Sequence, residues 1–299
     1  NLKEISSLVL HEFETQELTF EQPQRIHLTV TLLPLTEARS HKTGSMRILH
    51  DITKEKESEQ LRSNFVTIAS HQLRTPLSGI KWALSLLLEE FAGPLTKKQK
   101  ELIEKTNSAN NHLITLVNDL LDTSRIEEGR FGYSFKKTSL VSVVRKTLQE
   151  LQPSIKQKKL KIIFKQSKSD PLFLKADAKK LQVAVYNILD NAVRYTPKGT
   201  IHISFSKRKS NTSLTVQDQG IGIPKEQQKY LFTKFFRARN AILLQTEGSG
   251  LGLWIANEIV KRHKGKIVLI DSVENKGSTF MIRLPIHPDH LRKSEIQAL

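Results

Sequence analysis

Between Leu61 and Phe91 the apolar residues fall into one repeating pattern, and no other feature restricts the fold of this chain as strongly. Leu61, Phe65 and Ile68, then Leu73, Leu77, Ile80, Leu84, Leu87 and Phe91, are three or four residues apart, apart from one longer step between Ile68 and Leu73. Such spacing lays an apolar stripe along one side of a helix, here expected from residue 54 to about Phe91, with Asp51 or Thr53 as its N-cap. His71 falls in the irregular step, inside Ser70-His71-Gln72-Leu73-Arg74-Thr75-Pro76-Leu77. Pro76 removes a helical hydrogen bond and predicts a kink just after the histidine. Gly93-Pro94 supplies a turn, and a second helix starts at Thr96 and carries Leu102, Ile103, Leu113, Leu116, Val117, Leu120 and Leu121. Two long helices joined by a short loop form an antiparallel hairpin whose stripe is too large for it to bury alone. Two copies are therefore expected to associate as a four-helix bundle.

Before the hairpin the period changes from helix to strand. Ile26, Leu28, Val30 and Leu32 alternate with Arg25, His27, Thr29 and Thr31, the pattern of a half-buried strand that Pro34 is expected to stop. Phe13 to Phe20 reads as a weaker strand, and a turn around Lys42-Thr43-Gly44-Ser45 leads to another at Met46 to His50. Residues 8 to 50 thus predict an antiparallel sheet fragment, too few strands to stand without a partner surface.

The chain holds 299 residues, no cysteine and a formal charge of +17. Its length predicts two or three domains. The lack of cysteine excludes disulfides, thiol catalysis and thiolate metal sites, and is compatible with a reducing cytoplasm. No window approaches the roughly 18 unbroken apolar residues of a membrane span. The basic residues are scattered, as at Lys97-Lys98, Lys136-Lys137 and Lys207-Arg208-Lys209, without the pattern of a nucleic-acid-binding module. An acidic protein partner is expected rather than a nucleic acid. The start at Asn1, with neither Met nor a signal peptide, reads as part of something longer, with a sensor upstream and a membrane anchor compatible with the full-length protein.

Glu128-Gly129-Arg130-Phe131-Gly132 ends the hairpin. From Ser139 the pattern alternates: helix Leu140 to Gln157, strand Leu160 to Gln166, helix Ala178 to Val193, strands Ile201 to Ser206 and Ser213 to Gln217, helix Leu251 to His263, strands Lys266 to Ser272 and Ser278 to Leu284. That order predicts one α+β sandwich. Three clusters in it carry chemistry. Asn187 and Asn191 share a helix face with Arg194 on the next turn, a set that suits a hard metal ion carrying phosphates. Asp218-Gln219-Gly220-Ile221-Gly222-Ile223 places an acid at a strand end, able to accept from an exocyclic amine, before two glycines that let backbone approach a flat ligand. Gly248-Ser249-Gly250-Leu251-Gly252 precedes a helix whose free N–H groups can cradle phosphates. Neither the dinucleotide fingerprint of a βαβ unit nor GxxxxGK[ST] is present.

The order His71, Asn187/Asn191, Asp218-Gly220-Gly222, Phe232-Thr233-Lys234-Phe235-Phe236-Arg237, Gly248-Gly250-Gly252 and Gly277-Ser278-Thr279 resembles the sensor histidine kinases of two-component systems, over residues 54 to 285. Residues 8 to 53, ending in His-Asp-Ile-Thr, resemble the last strands of a PAS sensor domain. The resemblance implies a partial PAS-like sheet (1–53), a dimerisation and phosphotransfer hairpin (54–132), a GHKL-type ATP-binding domain (133–288) and a tail (289–299). It implies a homodimer that autophosphorylates His71 from ATP and passes the phosphoryl group to a response regulator receiver domain. Asn191 and Asn187 would hold Mg²⁺, Arg194 and Tyr195 would approach the phosphates, and Asp218 would read the adenine amine. Gly220, Gly222, Ile223, Phe232, Arg237, Gly248, Gly250, Leu251, Gly252 and Thr279 would complete the nucleotide site, with residues 237 to 249 as a mobile lid. Gyrase-like and chaperone-like ATPases share such a site but have no phosphoacceptor hairpin. A dimeric scaffold that binds ATP without efficient transfer is the non-enzymatic alternative.

Two positions depart from the family pattern. Gln72 stands where the family commonly has an acid that takes the imidazole proton, so slowed autophosphorylation is expected. Thr75 matches the residue that assists dephosphorylation in the family. The lid contains Ala241-Ile242-Leu243-Leu244, an apolar run expected to dock on the hairpin or on Phe232 and Phe235 in one signalling state.

Overall fold

The computed structural model describes residues 15–22, 24–36, 43–91, 93–165, 172–208 and 210–286. The start of the first expected strand at Phe13, Lys42 of the turn, Gln166 and the 289–299 tail lie outside them. The chain divides into two compact units, Asn1–Ala69 and Ser70–Leu299.

In the first unit β1 (Thr15–Phe20), β2 (Ile26–Thr36) and β3 (Thr43–Asp51) form an antiparallel sheet with β2 in the centre. Pro34 does not stop β2, which continues to pair with β3 as far as Thr36. The register with β1 ends at Thr31, so around Pro34 the described ladder is one-sided, a setting that tolerates a residue without an N–H. Val30 is fully buried while Met46, Ile48 and Leu49 of β3 are exposed. At the end of β3 the Asp51 carboxylate accepts from the backbone N–H of Thr53 (2.9 Å) and from its hydroxyl (2.6 Å). The Thr53 hydroxyl oxygen accepts from the His27 N–H at 2.9 Å, so the expected capping residues also fasten the next helix to the sheet.

That helix, α1 (Thr53–Leu88), is one continuous element with Pro76 inside it. Proline deletes a single helical hydrogen bond, and α2 (Lys97–Glu127) braces the turn on both sides of it. Arg74 donates to Asn118 Oδ1 at 2.7 Å, and Asn110 Nδ2 donates to the Leu77 carbonyl at 3.0 Å. α1 ends short of Phe91 because Glu90 turns left-handed (φ 59°) and the Phe91 N–H closes back on the Leu86 carbonyl. Thr96 and Gln99 form a reciprocal capping box at the start of α2. Val117 and Leu121 are buried, yet Leu73, Ile80, Trp82, Leu102 and Leu113 stay exposed, so this chain does not cover its own hairpin stripe.

The remaining elements are β4 (Lys136–Ser139), α3 (Leu140–Gln157), β5 (Lys161–Lys165), β6 (Phe173–Ala176), α4 (Ala178–Tyr195), β7 (Thr200–Arg208), β8 (Asn211–Gln217), a 3₁₀ turn (Lys225–Tyr230), α5 (Arg239–Leu244), α6 (Gly252–Arg262), β9 (Lys266–Val273) and β10 (Gly277–Pro285). The sheet runs β5-β7-β8-β10-β9, antiparallel except for the β5/β7 pair. Alternation decides its faces: Ile201 and Ile203 of β7, Leu214 and Val216 of β8, and Ile282 of β10 are buried. They meet Leu140 and Val144 of α3, Leu181 and Ile188 of α4, and Ile255 and Ile259 of α6, which makes the expected α+β sandwich. The short β4–β6 ribbon, the 3₁₀ turn and α5 were not anticipated from the sequence pattern, because each is too short to show a period.

Ile188 is 1% exposed at the centre of this core. Ile188→Ala is expected to destabilise the sandwich by about 2–5 kcal/mol, whereas Lys146→Ala on the exposed side of α3 stays within about 0.5 kcal/mol. Calorimetric melting of the two variants beside the parent chain checks both.

Candidate functional site

α4 is pinned at both ends, and the pinning aims its polar face. At the N-terminus Asp177 accepts from the Lys180 N–H (3.0 Å) and the Ser134 N–H (2.8 Å). Burial opposes its charge, but the backbone N–H groups of Ser134, Lys180 and Lys179 hold the carboxyl below its ordinary value. The Asp177 N–H in turn donates to Nε2 of buried His263 at 3.0 Å, while Nδ1 of that ring lies 2.8 Å from the Ile259 carbonyl. These two bonds require a neutral ring protonated on Nδ1, and burial lowers its pKa accordingly. At the C-terminus Lys158 Nζ donates to the carbonyls of Val193 (3.0 Å) and Arg194 (2.5 Å).

Held this way, α4 turns Asn187, Asp190, Asn191, Arg194 and Tyr195 into a cavity of about 820 Å³. Asn187 Nδ2 donates to its own helix at Val183 O (3.0 Å), which leaves Oδ1 facing Gly252, where a Cβ would lie 2.4 Å away. Among the described residues the Asn191 amide has no hydrogen-bond partner. Arg194 pairs with Asp190 at 3.1 Å.

Asp218, Gly222 and Ile223 line the cavity from the loop after β8. Asp218 is 8% exposed, and its Oδ1 accepts from the N–H groups of Gly220 (2.8 Å) and Ser278 (3.1 Å). Burial pushes this carboxyl above its ordinary value, against the pull of those two donors. The glycines beside it have a packing reason as well. A Cβ at Gly220 would lie 2.4 Å from the Tyr195 carbonyl, and one at Gly222 (φ +63°) would lie 2.0 Å from the Val273 carbonyl. Close approach of this chain to itself already excludes a side chain there.

Arg237, Gly248, Gly250 and Gly252 line the third wall. Leu251 is fully buried and precedes α6 without capping it, so the first N–H groups of α6 open toward the cavity, the arrangement that suits phosphate oxygens. Arg237 holds the loop down: its guanidinium donates to the carbonyls of Gln245, Thr246 (2.6 Å) and Gly248 (3.4 Å). Its Nε is buried without a partner. In the expected lid the apolar run forms α5, in which Ala241 is buried and Leu243 is 87% exposed. Phe232 packs against the sandwich core. Thr279, Gly220, Phe232 and Leu251 do not line the cavity; Ser278, one residue along β10 from Thr279, does.

His71, Gln72 and Thr75 are exposed on α1, and none of the described residues of α1 lines the cavity. The hairpin contributes through α2 instead, with Asn111, His112, Thr115 and Asp119. Ser249 Oγ donates to Asp119 Oδ2 at 2.7 Å, and Lys234 pairs with Glu127. Sequence reasoning missed these residues because it read α2 for its apolar stripe; the polar side held the signal.

Residues 61–129 match the His Kinase A (phospho-acceptor) domain family. Residues 176–288 match the histidine kinase-, DNA gyrase B- and HSP90-like ATPase family. The chain is 34% identical over 226 residues to the circadian input-output histidine kinase CikA of Synechococcus elongatus, covering 75% of this chain and 30% of that one. It spans less than half the length of the curated relatives it matches. In fold it is similar to full-length ShkA, solved in complex with AMPPNP (TM-score 0.60, 24% identity, 74% of this chain and 45% of that). It is also similar to histidine kinase ThkA, solved in complex with response regulator TrrA (TM-score 0.52, 19% identity, 93% and 79%).

Because the folded-state pKa of Asp218 lies above its unfolded value, stability falls as pH rises from the ordinary carboxylate range through that folded value. Asp218→Asn keeps an acceptor for Gly220 and Ser278 without the charge. It is expected to melt higher than the parent at pH 7, with the gap closing below about pH 4, while nucleotide affinity falls. Melting curves across that range, beside a nucleotide titration, check the sign.

Proposed function

The chain belongs to the sensor histidine kinases, and from that premise we propose that it is an ATP-dependent protein-histidine kinase that phosphorylates its own His71 and hands the phosphoryl group to an aspartate of a response regulator. The observation that carries this reading is the convergence of Asn187, Asn191, Arg194, Asp218 and the Gly248–Gly252 loop on one cavity, in a chain that also presents a histidine on an exposed helix.

In this reading Asp218 accepts from the exocyclic amine of adenine, and its two backbone donors keep Oδ1 occupied so that Oδ2 does the reading. Arg194 and Tyr195 lie toward the phosphates, beside the open N-terminus of α6. The unpartnered Asn191 amide and the Asn187 Oδ1 fit Mg²⁺, an ion that takes one or two protein oxygens and completes its shell with water and phosphate. When bound, Mg²⁺ neutralises charge on the phosphate oxygens as the transfer proceeds.

A ring nitrogen of His71 attacks the γ-phosphorus, the N–P bond forms as the bond to the β,γ-bridging oxygen breaks, and ADP leaves. The imidazole then sheds a proton. Gln72 cannot take it, but His71 is exposed and water can. Thr75 lies one turn along the helix from His71, and in this reading it would orient a water that removes a phosphoryl group as inorganic phosphate. Since His71 does not line the cavity, transfer requires the sandwich to leave α2 or to serve the histidine of a second copy. A second copy also covers the exposed Leu73, Ile80 and Trp82 in a four-helix bundle. We carry the response regulator across from ThkA, a kinase solved with one, and the basic surface suits an acidic receiver pocket. The units 54–132 and 133–288 are the phosphotransfer and ATP-binding domains of this reading.

Incubation with γ-labelled ATP and Mg²⁺ tests it. Acid-labile, base-stable label on the parent chain, lost in His71→Ala, is expected; bound ATP without label turns the reading to the scaffold. Gln72→Glu is expected to raise the autophosphorylation rate at least about tenfold by supplying a base, and an unchanged rate removes Gln72 from the account.

A further inference from the structure

The glycine loop before α6 is already engaged by an anion of the chain itself. Ser249 Oγ donates to Asp119 Oδ2 at 2.7 Å and accepts from the Leu251 N–H at 3.2 Å. Asp119 therefore stands at the same open helix N-terminus that the proposed function gives to the nucleotide's phosphates, and it lines the same cavity. Among the other carboxylates of the cavity wall, Asp190 pairs with Arg194 at 3.1 Å, Glu150 accepts from Gln182 Nε2 at 2.5 Å, and Asp218 is taken up by the backbone N–H groups of Gly220 and Ser278. Asp119 has a neutral hydroxyl as its hydrogen-bond partner. Eight residues further along α2, about two turns on, Glu127 pairs with Lys234, so α2 is fastened to the sandwich at two points of one face.

We propose that Asp119 competes with the phosphates of the nucleotide for the Ser249 loop, so that docking of the sandwich on α2 and binding of ATP oppose each other. The inference rests on the nucleotide reading of the cavity. Its physics is Coulombic. A triphosphate in the cradle brings several negative charges close to Asp119 in a half-buried setting where water screens poorly, and separation of α2 from the loop relieves the repulsion. By reciprocity, whatever tightens the α2 contact weakens nucleotide affinity. Docked, His71 is away from the cavity, and nucleotide arrival loosens one of the two polar contacts that hold α2 on the sandwich. Asp119 is in this sense a positioning residue and touches no reacting atom.

Calorimetric titration of the full chain with a non-hydrolysable ATP analogue, ADP and adenosine tests the competition. Asp119→Asn keeps an acceptor for the Ser249 hydroxyl and removes the charge. It is expected to bind the ATP analogue about tenfold more tightly than the parent, ADP with a smaller gain, and adenosine unchanged. Ser249→Ala keeps the charge but unties it, and is expected to tighten the ATP analogue by a lesser factor; it carries the same test if Asp119→Asn folds poorly. Equal affinity of parent and both variants for the ATP analogue overturns the proposal, as does an equal gain for adenosine. Failure of the parent chain itself to bind the analogue removes the nucleotide reading beneath it, a separate result.

Discussion

Everything at the cavity depends on the way α4 is clamped over the sheet. Its N-terminus is held by a buried carboxylate, Asp177, whose oxygens take backbone donors and whose own N–H is taken by His263. Its C-terminus is held by Lys158 across two carbonyls. A helix fixed at both ends cannot rotate about its axis, and rotation by one residue, about 100°, would carry Asn187, Asn191 and Arg194 off the cavity together. The clamp also explains a buried neutral histidine with no place in the chemistry: His263 ties the end of α6 to the start of α4, and so the phosphate-side helix to the amide-bearing one. Phe135 stacks obliquely on its ring at 5.0 Å, which closes the cluster from the β4 side.

Once the helices are fixed, the loops between them have little room. Gly220, Gly222 and Gly252 each lie where a Cβ would strike Tyr195, Val273 or Asn187. The glycine pattern that looked like ligand approach is first a packing requirement, and the ligand space is what the packed backbone leaves over. Asp218 shows the consequence. It is buried by the same closeness, which raises its carboxyl while keeping it aimed, a strain on the fold tolerated at a site where a fixed acceptor is needed.

The hairpin has two kinds of surface with opposite demands. Its apolar stripe stays open in a single chain, whereas its polar side meets the sandwich through Asp119 and Glu127. Charged contacts of this kind are individually weak and sensitive to nearby charge. That suits a joint able to open, as the proposed transfer to His71, which does not line the cavity, would require.

The sequence by itself determined the elements with long periods and the identity of the site. The stripe through Leu73 and Ile80 declared the hairpin, the alternation at Ile26, Leu28 and Val30 declared a strand, and Asn187/Asn191, Asp218 and Gly248–Gly252 marked residues that the fold gathers on one cavity, because helix and strand periodicity are local and side-chain chemistry is carried by residue type. Tertiary structure alone decided the rest. It braced α1 on both sides of Pro76 with Asn118 and Asn110 of a different helix, and extended β2 past Pro34, since a missing N–H matters only where a neighbouring strand needs it. It gave Gly220 and Gly222 their reason, and it brought Asp119 to Ser249, 130 residues apart in sequence. Contacts between distant segments leave no period in a chain; they exist only when packing has chosen which faces meet.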